Sequence, residues 1–361
     1  MSFFSNKKEN SFNPKTQNRV ALVDNVKGLL VVIFLLSQLM IQINGTVGGN
    51  TLKTALNFPV WFWHGADVSD VPFWNFFGFS FLDLGPISFF YVIAVVMFFS
   101  FEKRLSVEKK SAVLRRFFMR NGTIVGLFLP LNIIASMFLV RAGGLSSSWN
   151  WGTIPSIGFT GLILTPFVAV GLIRRHWWAK TAAGAGVLLF YYYCFDFIRA
   201  FDGTEGGPAA CIGYAAVVLL AGALGDLQRK GTLWYALGSV VLFLFGVWLK
   251  SPNVWGAAVY DDYNATYMIL ALNLVNAFYF VFYIIDKLLL KGRSIPVLAA
   301  MGRNILLYFI LTGCVINPLI SILPFFKSIT PPTLFLTQGI CLLLYIALAV
   351  FLEKKKIVFK L

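Results

Sequence analysis

The sequence predicts an all-α, polytopic integral membrane protein, and three observations carry that prediction. Of 361 residues, 58% are apolar and only 12% are charged, which is about half the charge of an ordinary soluble domain. The mean hydropathy is +0.77. The apolar residues also fall in continuous blocks of about 20, the length that a hydrocarbon core of about 30 Å demands. A soluble enzyme, a disordered chain and a coiled coil are excluded on these grounds. Continuous rather than alternating blocks argue equally against an outer-membrane barrel.

The elements follow in order. Residues 1–19 are polar and basic, with neither the apolar core nor the small-residue cleavage site of a signal peptide, and are read as a cytoplasmic tail. Residues 20–361 are read as a single transmembrane domain. Its spans are predicted near 24–44, 84–101, 121–140, 153–173, 180–198, 209–225, 232–249, 266–286, 296–319 and 332–352. The long first connection, near 45–83, is rich in aromatic residues, as interfacial or re-entrant segments are.

The chain carries a net charge of +15, which in a soluble protein would suggest nucleic acid. Here the charges sort by loop. Of 30 basic residues, 23 fall in the tail, in alternate loops and in the C-terminal segment, and five in the opposite loops. The positive-inside rule then places both termini in the cytoplasm. The densest basic loop is Lys103–Arg120, with Arg115, Arg116 and Arg120 at its far end.

Polar side chains within spans are costly and so are candidates for function. Asp24 and Lys27 lie three apart on one face of the first span, where they either neutralise each other or hold a cytoplasmic pocket open toward an anionic cofactor. Ser37, Gln38, Gln42 and Asn44 continue the span with a density of polar groups that lipid would not accept. His64, amid the aromatic loop, is one of only two histidines; the other, His176, adjoins Arg174 and Arg175 and reads as a solvated loop residue. Asp83 precedes Pro86 as a cap would. Arg303, within the ninth span, calls for a carboxylate, carbonyl or phosphate partner. Asp196 and Asp286 are further intramembrane or near-boundary carboxylates, each as readily one member of a local helix-end pair. The four cysteines lack metal-ligand spacing, and no phosphate-binding loop or dinucleotide fingerprint occurs.

Taken together, these segments resemble the heparan-alpha-glucosaminide N-acetyltransferase family of transmembrane acyltransferases and its prokaryotic relatives. The stretch Arg19 to Gly28 resembles that family's first catalytic span, with Lys27 where arginine is usual. His64, Trp74 to Gly78, the Asp83-Leu84-Gly85-Pro86 segment, Asn264 to Tyr267 and Gly302-Arg303-Asn304 with Tyr308 follow in the family's order. The family typically has eleven spans, against the ten counted here.

The resemblance implies transfer of an acetyl group from cytoplasmic acetyl-CoA to the amine or hydroxyl of a glucosamine-like glycan at the outer face. His64 is then the general base or a transient acyl carrier; Asn44 orients the imidazole or polarises the carbonyl, and Asp83 fixes the tautomer. Lys27, Arg115, Arg116, Arg120, Arg303 and Asn304 are the candidate cofactor-binding residues, with Asp24 shaping their pocket. The expected partners are acetyl-CoA, an amino-sugar or glycan acceptor and membrane lipids, with a homodimer admitted; nucleic acid and metal are not expected. The competing readings are a transporter or flippase for a small solute or glycan, and a catalytically silent relative.

Overall fold

The computed structural model describes residues 14–47, 68–141, 151–171, 176–198, 206–259, 263–316, 319–320 and 331–358, with the side chains of 14–20, 40–47 and 135–141 outside that description. Among the described residues the protein is all-helical, without strands. We label its helices α1 (Pro14–Val47), α2 (Pro72–Phe77), α3 (Gly85–Leu105), α4 (Lys110–Arg141), α5 (Thr153–Ala169), α6 (Trp177–Tyr193), α7 (Gly207–Lys230), α8 (Thr232–Leu249), α9 (Ala265–Ile285), α10 (Pro296–Arg303), α11 (Ile305–Ile310) and α12 (Pro331–Lys354). Seven helices are long and apolar enough to cross a membrane, or eight if the bent pair α10–α11 forms one span. Each of the ten predicted spans overlaps helix among the described residues, but α5 and α6 have only 17 residues each. The ninth is not one helix: α10 and α11 meet at 76°.

Local chemistry sets several boundaries. Proline at the first turn opens α3, α7 and α10, where its missing N–H would have had no helical partner. Asn264 caps α9 by accepting a hydrogen bond from the Tyr267 backbone N–H at 2.8 Å. Lys103 and Arg104 close α3, and Arg229 and Lys230 close α7, where cations meet the negative end of the helix dipole.

Helix α7 is the axis of the bundle. Nineteen of its 24 residues are buried, so it is shielded by protein rather than lipid. Its alanines and glycines allow α3, α5, α6, α8 and α9 to approach it closely. In contrast, α8 turns Leu233, Trp234, Val241 and Leu244 outward, as a helix facing lipid must.

A second, smaller core joins α1, α10, α11 and α12 through Val31, Leu35, Leu39, Met301, Tyr308 and Tyr345. Helix α1 belongs to both, since Leu22, Val23 and Val26 pack into the main core. Phe34, Phe89 and Phe309 bridge the two, with ring centroids 4.5–6.0 Å apart, a spacing at which aromatic edges and faces attract.

Candidate functional site

Helices α1 and α10 cross so closely that no side chain fits between them. A Cβ on Gly28 would lie 2.0 Å from the Leu298 carbonyl oxygen, and one on Gly302 would lie 2.0 Å from the Asp24 carbonyl oxygen. Each helix therefore presents a glycine to the other's backbone. Asn25 fixes the register of the crossing. Its Oδ1 accepts from the Ile295 N–H at 2.9 Å, and its Nδ2 donates to the Arg293 carbonyl at 3.3 Å. The segments Asp24–Gly28 and Gly302–Asn304, nearly the whole chain apart in sequence, thus meet in space.

Charge gathers at this crossing. Asp24 and Lys27 are half-buried, and Asp24 lies within electrostatic reach of both Lys27 and Arg303. Lys27 in turn feels Arg120 of α4, and Arg120 feels Arg104 at the end of α3. Among the described residues Asp24 and Lys27 make no direct ion pair, so the neutralising contact allowed by their spacing does not form.

Arg303 departs from its sequence reading as a residue buried within a span. It is partly exposed, and its Nη2 pairs with Glu353 Oε2 of α12 at 2.7 Å, while Nε donates to the Ala299 carbonyl. Four cations, Lys27, Arg104, Arg120 and Arg303, are accompanied by two carboxylates, Asp24 and Glu353. The cluster therefore keeps an excess of positive charge.

The remaining predicted cofactor residues divide. Arg116 forms an exposed pair with Glu108 at 3.0 Å, and Arg115 is exposed; neither joins the network of interactions at the crossing. Asn304 is buried and donates from Nδ2 to the Ala300 carbonyl at 3.0 Å, at the bend between α10 and α11. Beyond it, Tyr308 donates to the Tyr345 carbonyl at 3.2 Å, and the Thr312 and Tyr345 hydroxyls are 2.6 Å apart, joining the broken span to α12.

The predicted catalytic residues are placed as follows. Asp83 is buried, and its Oδ2 accepts from the Ser80 N–H at 2.7 Å and the Ser80 hydroxyl at 2.8 Å. These bonds tie Ser80 to the 3-10 turn Leu82–Leu84 that leads into α3, while α3 itself starts from Leu84 with no side-chain cap. Tyr267 donates to the Asp83 carbonyl at 2.6 Å, joining that turn to the start of α9. The Asp83 carboxylate is thus engaged in local folding, but not as the expected cap of α3. His64 lies outside the described residues, as do the side chains of Asn44 and Asp196. Among the described residues no group of three or more His, Cys, Asp or Glu side chains is arranged to hold a metal.

Lys180, at the start of the predicted span 180–198, was not singled out in the sequence. It is fully buried in α6, and its Nζ pairs with Asp226 Oδ2 of α7 at 2.5 Å and sits 4.8 Å from the centre of the Phe98 ring. Arg229 completes the network by pairing with both Asp226 and Glu102 of α3. Two cations face two carboxylates there. Asn25, Gly28 and Gly302 were likewise not read as an interhelical contact, because nothing in the order of the sequence brings them together.

No protein-family model matches the chain, and no curated protein matches it either. Among the described residues the fold is all-helical, with seven or eight helices long and apolar enough to cross a membrane, and one of its helix crossings carries excess positive charge.

Proposed function

We propose that the chain is a membrane-embedded acyltransferase of the heparan-alpha-glucosaminide N-acetyltransferase type. In this reading it has ten crossings, both termini are cytoplasmic, and acetyl-CoA enters from the cytoplasmic end. The observation that carries the reading is the meeting of the Asp24–Gly28 and Gly302–Asn304 segments, two of the stretches behind the family resemblance. Their shared cluster holds more cations than carboxylates. Excess cations gathered at one helix crossing favour a polyanion, and the phosphates of CoA meet that requirement.

The chemistry assigned to the chain is simple to balance. The acceptor amine or hydroxyl attacks the thioester carbonyl, a new C–N or C–O bond forms, and the C–S bond breaks. The proton lost by the acceptor passes through His64 to the departing thiolate, or His64 itself carries the acetyl group between the two partners. The acceptor class is an amino sugar or a glycan hydroxyl at the outer face.

The test is acetyl-CoA binding and thioester turnover by the purified, reconstituted protein, with His64→Ala and Lys27→Ala alongside. Turnover abolished by His64→Ala with CoA binding retained, and binding weakened by Lys27→Ala, support the proposal. Full turnover by His64→Ala overturns the histidine's role, and an absence of CoA binding overturns the whole reading. One observation favours a transporter instead: the 76° break between α10 and α11, followed by a π-helical stretch over Leu311–Ile316. Discontinuous helices line substrate paths in transporters. Solute-dependent flux in vesicles, without CoA binding, is the outcome that selects this second reading.

A further inference from the structure

The turn between α7 and α8 brings two lysines to the edge of an apolar surface. Lys230 closes α7, and Lys287 lies in the π-helical turn Asp286–Leu290 that follows α9; both are exposed. Lys287 Nζ donates to Thr232 Oγ1 at 2.8 Å, at the start of α8, and that hydroxyl is 3.1 Å from the hydroxyl of Tyr283. The hydrogen bond fixes the ammonium beside α8 and leaves its other two N–H donors for a further partner. Lys230 Nζ lies 5.8 Å from the centre of the Trp177 ring and 6.0 Å from that of Trp234. Such distances are at the outer limit of cation–π attraction, so the rings hold this ammonium only weakly.

Neither cation is neutralised: among the described residues no carboxylate forms an ion pair with Lys230 or Lys287. Asp226, one turn before Lys230, is taken by Lys180 and Arg229. Asp286, beside Lys287, is buried, and the helix-end pair open to it does not form. The adjoining surface is apolar. Helix α8 turns Leu233, Trp234, Leu237, Val241 and Leu244 outward. Along α8 the order is therefore cations at its start, an indole in its first turn and aliphatic side chains beyond. A membrane boundary has the same order, with phosphates outermost, a belt of tryptophans below them and hydrocarbon beneath.

We propose that the turn between α7 and α8 is a headgroup site for an anionic phospholipid. The lipid phosphate meets Lys230 and Lys287, Trp177 and Trp234 lie at the level of the glycerol, and the acyl chains rest on the outward face of α8. Charge complementarity selects the occupant: two ammonium groups without carboxylates attract an anionic headgroup and repel the choline of a zwitterionic one, as basic pockets at helix ends do. The site goes beyond the acyl-transfer reading and does not depend on it. It requires only that these helices lie in a bilayer, and it would persist in a protein that transports rather than transfers.

The test is native mass spectrometry of the full chain, released from nanodiscs containing equal amounts of phosphatidylglycerol and phosphatidylcholine. The unaltered protein should retain phosphatidylglycerol in preference to phosphatidylcholine. Lys230→Gln and Lys287→Gln should each weaken phosphatidylglycerol binding about fivefold, and together about 25-fold, whereas Lys230→Arg and the exposed-lysine control Lys355→Gln should leave it unchanged. Equal retention of the two lipids by the unaltered protein overturns the proposal, and because no variant enters that measurement, a substitution that fails to fold does not remove the test. Undiminished binding in the double variant, or an equal loss in Lys355→Gln, overturns the assignment to this turn. Inorganic phosphate that displaces the lipid as effectively as phosphatidylglycerol itself overturns a lipid as the occupant. CoA binding by the double variant should match that of the unaltered protein, so either reading can fail while the other stands.

Discussion

The ends of α3, α6 and α7 and the ends of α1, α4 and α10 each gather charge, and the two gatherings differ in balance. In the first, Lys180 and Arg229 face Asp226 and Glu102, cation for carboxylate. In the second, Lys27, Arg104, Arg120 and Arg303 have only Asp24 and Glu353. The two share a helix, since α3 ends with Glu102 in one and Arg104 in the other, so they lie at the same end of the bundle. A balanced network ties helices together and needs nothing more. An unbalanced one is held at the cost of mutual repulsion unless an anion joins it. The difference separates a group that serves the fold from one suited to a ligand.

Substitutions can break or sharpen that contrast. The largest effect is expected from Lys180→Ala, which leaves Asp226 without its buried partner. It should lower stability by about 3–5 kcal/mol, read as the unfolding midpoint in detergent, with CoA affinity little changed. Next comes Gly28→Ala, whose methyl would meet the Leu298 backbone. Forcing α1 and α10 apart should cost about 3 kcal/mol and weaken CoA binding at the same time, because the charged segments separate with the helices. Lys27→Ala should do the reverse of Lys180→Ala. Removing one of the excess cations leaves the unfolding midpoint within about 0.5 kcal/mol while CoA affinity falls about tenfold, or about 1.4 kcal/mol. A Lys27→Ala variant that unfolds as readily as Lys180→Ala would erase the distinction.

The smallest effect concerns a cation outside both groups. Lys250, just past α8, donates to the Phe76 carbonyl and lies 4.3 Å from the centre of that ring. Burial against α2 holds its ammonium below the usual 10.5. Between its lowered value and 10.5 the unfolded chain binds the proton and the folded one does not, so stability rises with pH across that window. Lys250→Met should remove this slight rise, as measured by melting curves at successive alkaline pH values.

The seven or eight long apolar helices were legible because apolar blocks of about twenty residues announce themselves without tertiary information, whereas the predicted count of ten was not reached among the described residues. What the blocks concealed was which helix would be enclosed. The Ala- and Gly-rich run Gly207–Lys230 is no more hydrophobic than its neighbours, yet it alone is nearly sealed from lipid, since small side chains permit crowding but do not specify by which partners. The break at Asn304 was hidden for a related reason: apart from the Arg303-Asn304 pair, residues 296–311 read as one apolar block, and nothing in their order marks a bend. Arg303 was recognised as needing a partner, but Glu353 lies fifty residues away and its contact is made only by the fold. Asp83 stands ahead of Pro86 as a cap would, yet its carboxylate bonds back to Ser80 and α3 has no side-chain cap.

The enclosure of α7 also bears on how the chain is made. Helices enter a membrane in the order of synthesis, and of the five that surround α7, three (α3, α5 and α6) precede it while α8 and α9 follow. The axis of the bundle is therefore threaded before its wall is complete. Until α9 emerges, the faces of α7 destined for α8 and α9 must rest against lipid or an insertion chaperone. A chain halted after Lys230 would hold the most protein-adapted helix of the molecule in the environment it fits least.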